Sequence, residues 1–114
     1  MIKHRNSIET WSKLPLNLNS CYNYWYDFSI NPNAAFGNNT IQVNNSPVIY
    51  ALYSGDVNQE GTIDLADVLL VHNDASEFAA GYRNTDVTGN DITDLSDLVL
   101  TYNNANSFVS VKKP

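Results

Sequence analysis

The strongest constraint on this chain is an internal repeat. Shifting the sequence by 30 residues lays Gly55–Ala80 over Thr85–Ser110 with nine identities in 26 pairs: Asp56/Asp86, Val57/Val87, Asp64/Asp94, Leu65/Leu95, Asp67/Asp97, Leu70/Leu100, Asn73/Asn103, Ala75/Ala105 and Phe78/Phe108. A period of this length marks one supersecondary unit per copy, which needs its twin to bury its apolar face. In each copy a polar loop runs into an apolar pattern of helical period. Leu65, Val68, Leu69 and His72 recur at i, i+3, i+4 and i+7, and Leu95, Leu98, Val99 and Tyr102 take the same places. The spacing predicts one helix per copy, loosening near Asn73-Asp74 and Asn103-Asn104. Phe78 and Phe108 follow as anchors expected to pack back on the helix pair. Two facing helices make a small core, and a core of that size ordinarily needs a staple.

Charge bears on what the staple is. The chain has 114 residues, one ordinary domain or two small modules, with a formal charge of −6 and a pI near 4.5. That balance argues against nucleic acid and against an anionic membrane surface as partners, since both require a basic footprint. Residues 1–54 carry three basic and two acidic side chains, whereas residues 55–114 carry three basic and ten acidic ones, all ten between Asp56 and Asp97. These carboxylates alternate with Val, Ile and Leu, unlike a solvated acidic tail.

The acidic residues fall in a pattern. In Asp56–Asp67, oxygen-bearing side chains stand at loop positions 1, 3, 5, 9 and 12 (Asp56, Asn58, Glu60, Asp64, Asp67), with Gly61 at position 6 for a sharp turn. A hard cation such as Ca²⁺ takes six to eight oxygen ligands, which this loop supplies through side chains, the Thr62 carbonyl at position 7 and water. Ile63, at position 8, is expected to point inward and pair with its mate in the other loop. The second loop repeats the frame with Asp86, Thr88, Asn90, Ile92 (carbonyl), Asp94 and Asp97. Its position 6 is Asp91, among the few residues that tolerate a left-handed conformation. A second reading stays open: Asx-rich turns with Asp64 and Asp94 as helix N-caps.

Position 12 is Asp rather than the Glu of helix-loop-helix (EF-hand) calcium sensors, and no helical pattern precedes either loop. A duplicated loop followed by a helix resembles the dockerin domain. The resemblance covers residues 55–110, on Gly55-Asp56-Val57-Asn58, Gly61, Asp64 and Asp67 and on Asp86-Val87, Asp94 and Asp97. It implies two Ca²⁺ ions held by the twelve residues named above, with Asp64 acting through water. It also implies a module that plugs into a cohesin partner and attaches a secreted protein to a scaffold or cell surface. Dockerin recognition residues cluster at loop positions 10 and 11 and are often hydroxylic. Here they are Leu65-Ala66 and Leu95-Ser96, a departure that puts an intramolecular clamp beside cohesin binding as the pair's role.

Residues 1–54 read as strands. Tyr22–Phe28, Thr40–Val43 and Val48–Tyr53 are rich in β-branched and aromatic residues, with Ile2–Ile8 and Leu14–Leu18 as weaker candidates. Asn31-Pro32-Asn33 and Gly37-Asn38-Asn39 separate them as turns. The segments His4-Arg5-Asn6-Ser7, Tyr26-Asp27-Phe28 and Tyr50–Asn58 are similar to the C-terminal region of large secreted bacterial proteins. There a β-sandwich runs into a dockerin-like pair with a short basic tail like Val111-Lys112-Lys113-Pro114. The expected fold is therefore α+β: a partial antiparallel β-sandwich over 1–54, then a calcium-binding module over 55–114. Unpaired strands recruit strands from other chains, so either neighbouring copies complete the sheet or the chain is a fragment that lacks its first strands.

No catalytic arrangement emerges. There is no nucleophile elbow, phosphate loop or zinc spacing, and His72 holds the seam place taken by Tyr102 in the other repeat, so it reads as packing. Trp11, Tyr22, Tyr24, Trp25 and Tyr26 fit a core or a sugar-stacking platform; alternation puts Trp25 on the face opposite the three tyrosines. Cys21, the one cysteine, excludes an internal disulfide and suits a small buried hydrophobe or an intermolecular bridge. Neither a secretory signal nor a membrane span is visible, and no membrane insertion is expected. The expectation is a non-catalytic, calcium-binding protein at the cell surface or outside the cell. Its partner is a cohesin-like protein or further copies of itself, and in the second case it builds a filament, tube or layer.

Overall fold

A computed structural model describes residues 1–16 and 25–114. Its elements are a hairpin, β1 (Thr40–Asn45) and β2 (Val48–Leu52), and two helices, α1 (Leu65–Ser76) and α2 (Leu95–Asn106). The architecture is α+β in this broad sense. β1 and β2 pair antiparallel from Thr40↔Leu52 to Asn45↔Val48, with a bulge at Val43 that breaks the register between Gln42 and Asn44.

The helices form where the repeat places them, and each starts for the same local reason. Asp64 accepts the Ala66 amide and Asp67 accepts the Asp64 amide in return; Asp94, Ser96 and Asp97 repeat this capping box at α2. Beyond the caps, the equivalent residues Val71 and Thr101 are fully buried.

The two repeats interlock reciprocally. Ile63 donates its amide to Val109 (2.9 Å) and Thr93 donates to Ala79 (2.8 Å), while Val111 donates to Gly61 and Gly81 to Asp91, each at 2.8 Å. Each loop is therefore sewn to the segment that follows the other repeat's helix. Ile63 does point inward, but its cluster mates are Ile8 and Val109, with Tyr53, Ala105 and Val111 packed around them. Burial among the described residues is dominated by polar groups, thirteen against seven apolar side chains, so the apolar core alone is a weak source of stability.

The N-terminal half departs from the strand-rich expectation. Ile2–Ile8 forms only isolated bridges, Ile2↔Thr10 and Ser7↔Ser54, and the described part of Tyr22–Phe28 is not a strand. The turn clusters become short 3-10 turns, Pro32–Ala34 and Phe36–Asn38. Among the described residues the sheet is this one hairpin, and no second sheet faces it. Cys21, Tyr22, Tyr24 and the end of Leu14–Leu18 lie outside the described residues.

Phe78 and Phe108 also correct an expectation. They are 73% and 87% exposed, and do not anchor the helix pair. Each sits just past a helix end with positive φ (50° and 54°), where the chain turns back to sew itself to the opposite loop.

Candidate metal centre

The first loop gathers its acidic residues. Carboxylate oxygens of Glu60, Asp64 and Asp67 all lie within 4.8 Å of one another, and these three can hold a metal ion. Gly61, at φ 93°, makes the turn that brings Glu60 back toward the helix start. Asp67 is fully buried: its Oδ1 accepts the Val57 and Asn58 amides (2.9 and 3.2 Å) and its Oδ2 accepts the Asp64 amide (3.0 Å). Asn58 is exposed and turns its Oδ1 to the Glu60 amide (3.1 Å). Thr62 is exposed on a bridge to Ser110, leaving its backbone as its contribution.

Asp56 tests whether a cation fits. Its Oδ2 accepts the Gly61 amide at 3.1 Å, but its Oδ1 is buried with no partner. A buried carboxylate oxygen without a donor carries the full desolvation penalty of the group. The same strain raises the Asp56 pKa above 3.8, through burial first and then the Asp67 charge, and raises that of Asp67 through burial first and then the Asp64 charge. A positive ion relieves each of these, and an all-oxygen donor set selects a hard one. Asp56 and Glu60 also line a polar cleft of about 180 Å³, space enough for the waters that complete a coordination shell. Glu9 and Lys113, across this cleft, pair with each other at 3.3 Å.

The second loop has the same residues in a more self-contained arrangement. Asp86 is buried, with Oδ1 accepting the Gly89 and Asn90 amides (2.8 and 3.1 Å) and Oδ2 the Asp91 amide (2.9 Å). Asp97 accepts the Thr88 and Asp94 amides (2.7 and 2.8 Å). Asn90 and Thr88 are exposed, Asp94 serves as helix cap, and Ile92 bridges Ala80. Asp91 takes the left-handed turn at φ 69° that Gly61 takes in the first loop. A cation here shares oxygens that already accept backbone amides, whereas in the first loop it meets a free one.

Sequence reasoning missed two groups that hold the loops: Asn6, from outside them, and Gln59, which reaches out of the first loop to Ser7. The His4–Ser7 segment drew notice only by its likeness to other chains; nothing in its spacing shows that it reaches a loop 80 residues away.

The helices leave an apolar groove of about 350 Å³, lined by Val68, Leu69, His72, Leu98, Val99 and Tyr102. These are three repeat-equivalent pairs, so the groove lies on the axis relating the two copies. His72 borders it as an exposed seam residue, and Trp25 is 93% exposed. Comparison with family models, with curated proteins and with solved structures finds no match for this chain.

Proposed function

We propose that this chain is a non-catalytic calcium-binding module of an extracellular or cell-surface protein, which attaches to a protein partner through its helix pair. The observation that carries the reading is the unpaired, buried Asp56 Oδ1 beside the Glu60–Asp64–Asp67 cluster, in a loop whose frame recurs 30 residues later. Calcium is the ion, one per loop, through Asp56, Asn58, Glu60, Thr62, Asp64 and Asp67 and through Asp86, Thr88, Asn90, Ile92, Asp94 and Asp97. The ion supplies folding energy by neutralising carboxylates that burial disfavours. The dockerin resemblance supports the attachment role, as does the exposure of Leu65, Leu69, Leu95 and Val99 on the paired helices. The partner is a cohesin-like protein.

A second reading has its own support. From Phe28 to Gly55 the chain carries no charged residue, and its hairpin exposes Ile41, Val43, Val48 and Ile49 along strand edges whose one backbone bond outside the pair, among the described residues, runs from Tyr50 to Ser29 (2.9 Å). Such edges are normally blunted by charge, so a self-assembling subunit that joins copies through added strands is the alternative. Light scattering with negative-stain imaging, in calcium and then in chelator, separates the two. A monomer that loosens in chelator supports the attachment module; long regular polymers that dissolve in chelator support the subunit. Identical size and thermal stability in both buffers refutes calcium as the staple.

A further inference from the structure

Besides the reciprocal bonds between the repeats, a third segment joins the two loops. The segment His4–Ile8 passes between them and meets the backbone of each at its start. At the second loop, Asn6 Nδ2 donates to the Asp86 carbonyl at 3.0 Å in a buried contact, and Arg5 Nη2 reaches the same oxygen at 3.4 Å. The Arg5 guanidinium lies 3.9 Å from the centroid of the Tyr82 ring, which pins it beside that loop. At the first loop, the Gly55 amide donates to the Asn6 carbonyl at 2.7 Å, one residue ahead of Asp56. Gln59 Nε2, inside the loop, donates to the Asp56 carbonyl at 2.7 Å and to the Ser7 carbonyl at 3.4 Å. Asn6 is itself oriented, with Oδ1 facing His4 Nδ1 at 3.0 Å and the amide nitrogen thereby turned to Asp86. Ile8 then plugs into the core beside Ile63, the residue at position 8 of the first loop.

We infer that residues 4–7 belong to the cation-binding unit as positioning residues: they fix the backbone of Asp56 and Asp86 and tie the two loops into one unit. The inference rests on the cation reading above. A position-1 carboxylate aims where its backbone points it, and a carbonyl held by a buried side chain is not free to turn. Without the strap, each ion has to order its own loop, and that ordering is subtracted from its affinity. Partners one shell outside a metal change affinity by about 10-fold to 100-fold when removed.

The test is a calcium titration of the isotope-labelled full chain by NMR, following the Gly61 amide in the first loop and the Gly89 amide in the second. Asn6→Ala is expected to raise the calcium midpoint at Gly89 about tenfold, with a smaller rise at Gly61. Arg5→Ala, which removes only the longer contact, is expected to move Gly89 by about threefold. Ile8→Val loosens the same segment inside the core; it is expected to lower thermal stability and leave both midpoints in place, which separates positioning from packing. Unchanged midpoints in folded Asn6→Ala overturn the inference and leave the cation reading standing. Should Asn6→Ala unfold, an unchanged Gly89 midpoint in Arg5→Ala overturns it instead. A wild-type chain whose Gly61 and Gly89 amides ignore calcium removes the cation reading, and this inference with it.

Discussion

Asp67 shows how much one side chain carries. It closes the capping box of α1 and accepts three backbone amides, from Val57, Asn58 and Asp64, while standing in the acidic cluster. The capping and cation readings of the sequence are therefore the same residues seen from two sides, since a cap needs only a local acceptor and a cation needs charge. They separate by substitution. Asp67→Asn keeps the size and the oxygen that faces Val57 and Asn58 but sets an NH2 against the Asp64 amide, so stability in chelator is expected to fall by about 1 kcal/mol while calcium-induced stabilisation is lost, as thermal unfolding in both buffers will show. Asp67→Ala leaves three amides without an acceptor and is expected to cost about 2–3 kcal/mol even in chelator. Protons act on the same site. Asp56 and Asp67 bind theirs more tightly folded than unfolded, so the stability they contribute is full below 3.8 and is lost as pH rises through their raised values. Cation-free protein is thus expected to gain stability from these two groups on acidification toward 3.8. Glu9, whose carboxylate is held below 4.5 by the Trp11 indole first and Lys113 after it, opposes this as pH falls below 4.5. With calcium the sign reverses, because the ion needs both carboxylates deprotonated. Melting curves against pH, with and without calcium, should converge as pH falls; parallel curves would dismiss the site.

Among the elements, the helices were legible because their signals are local: an Asp cap, a matching Asp three residues on, and apolar spacing repeated in register. β1 and β2 were legible for a similar reason, as two β-rich runs joined by Ser46-Pro47. What lay beyond reach was how elements answer one another across the repeat. Phe78 and Phe108 looked like core because they are large, apolar and repeated. They sit instead where the chain must take a left-handed turn before pairing with the opposite loop, which throws their rings into solvent. A bulky residue at positive φ is strained, by about 1 kcal/mol or more, and an exposed ring returns little of that through burial. Phe78→Gly and Phe108→Gly are therefore each expected to raise stability, or leave it level, where an anchor's loss would cost about 3 kcal/mol. Denaturant titration of the two variants decides between these outcomes. A fall of that size would return both rings to the core.

At the scale of the molecule, the core joins distant parts of the chain. Ile8 comes from the start, Ile63 from the first loop and Val109 from behind α2. Around them Ile2 bridges Thr10, and Thr10 bridges Lys112, so early and late segments lie side by side. A boundary after residue 54 follows the composition, which shifts from nearly neutral to strongly acidic there, yet composition carries no information on which segment fills the space between two loops. Contacts separated by 50 to 100 residues leave no periodicity to read. The energetic weight of this arrangement can be measured directly. Ile8 is fully buried in a core with few other apolar members, so Ile8→Ala is expected to lower stability by about 3 kcal/mol in chelator. Calcium should offset much of that, since a ligand that binds only the folded form adds about 2.7 kcal/mol at a hundredfold excess over its Kd. Residues 55–114 expressed alone lose Ile8, Asn6 and Ser7 together, and are expected to fold only in calcium and to melt below the full chain even there. A 55–114 fragment as stable as the full chain in chelator would mean that the loops and helices close on themselves, and that the N-terminal segment merely rests against them.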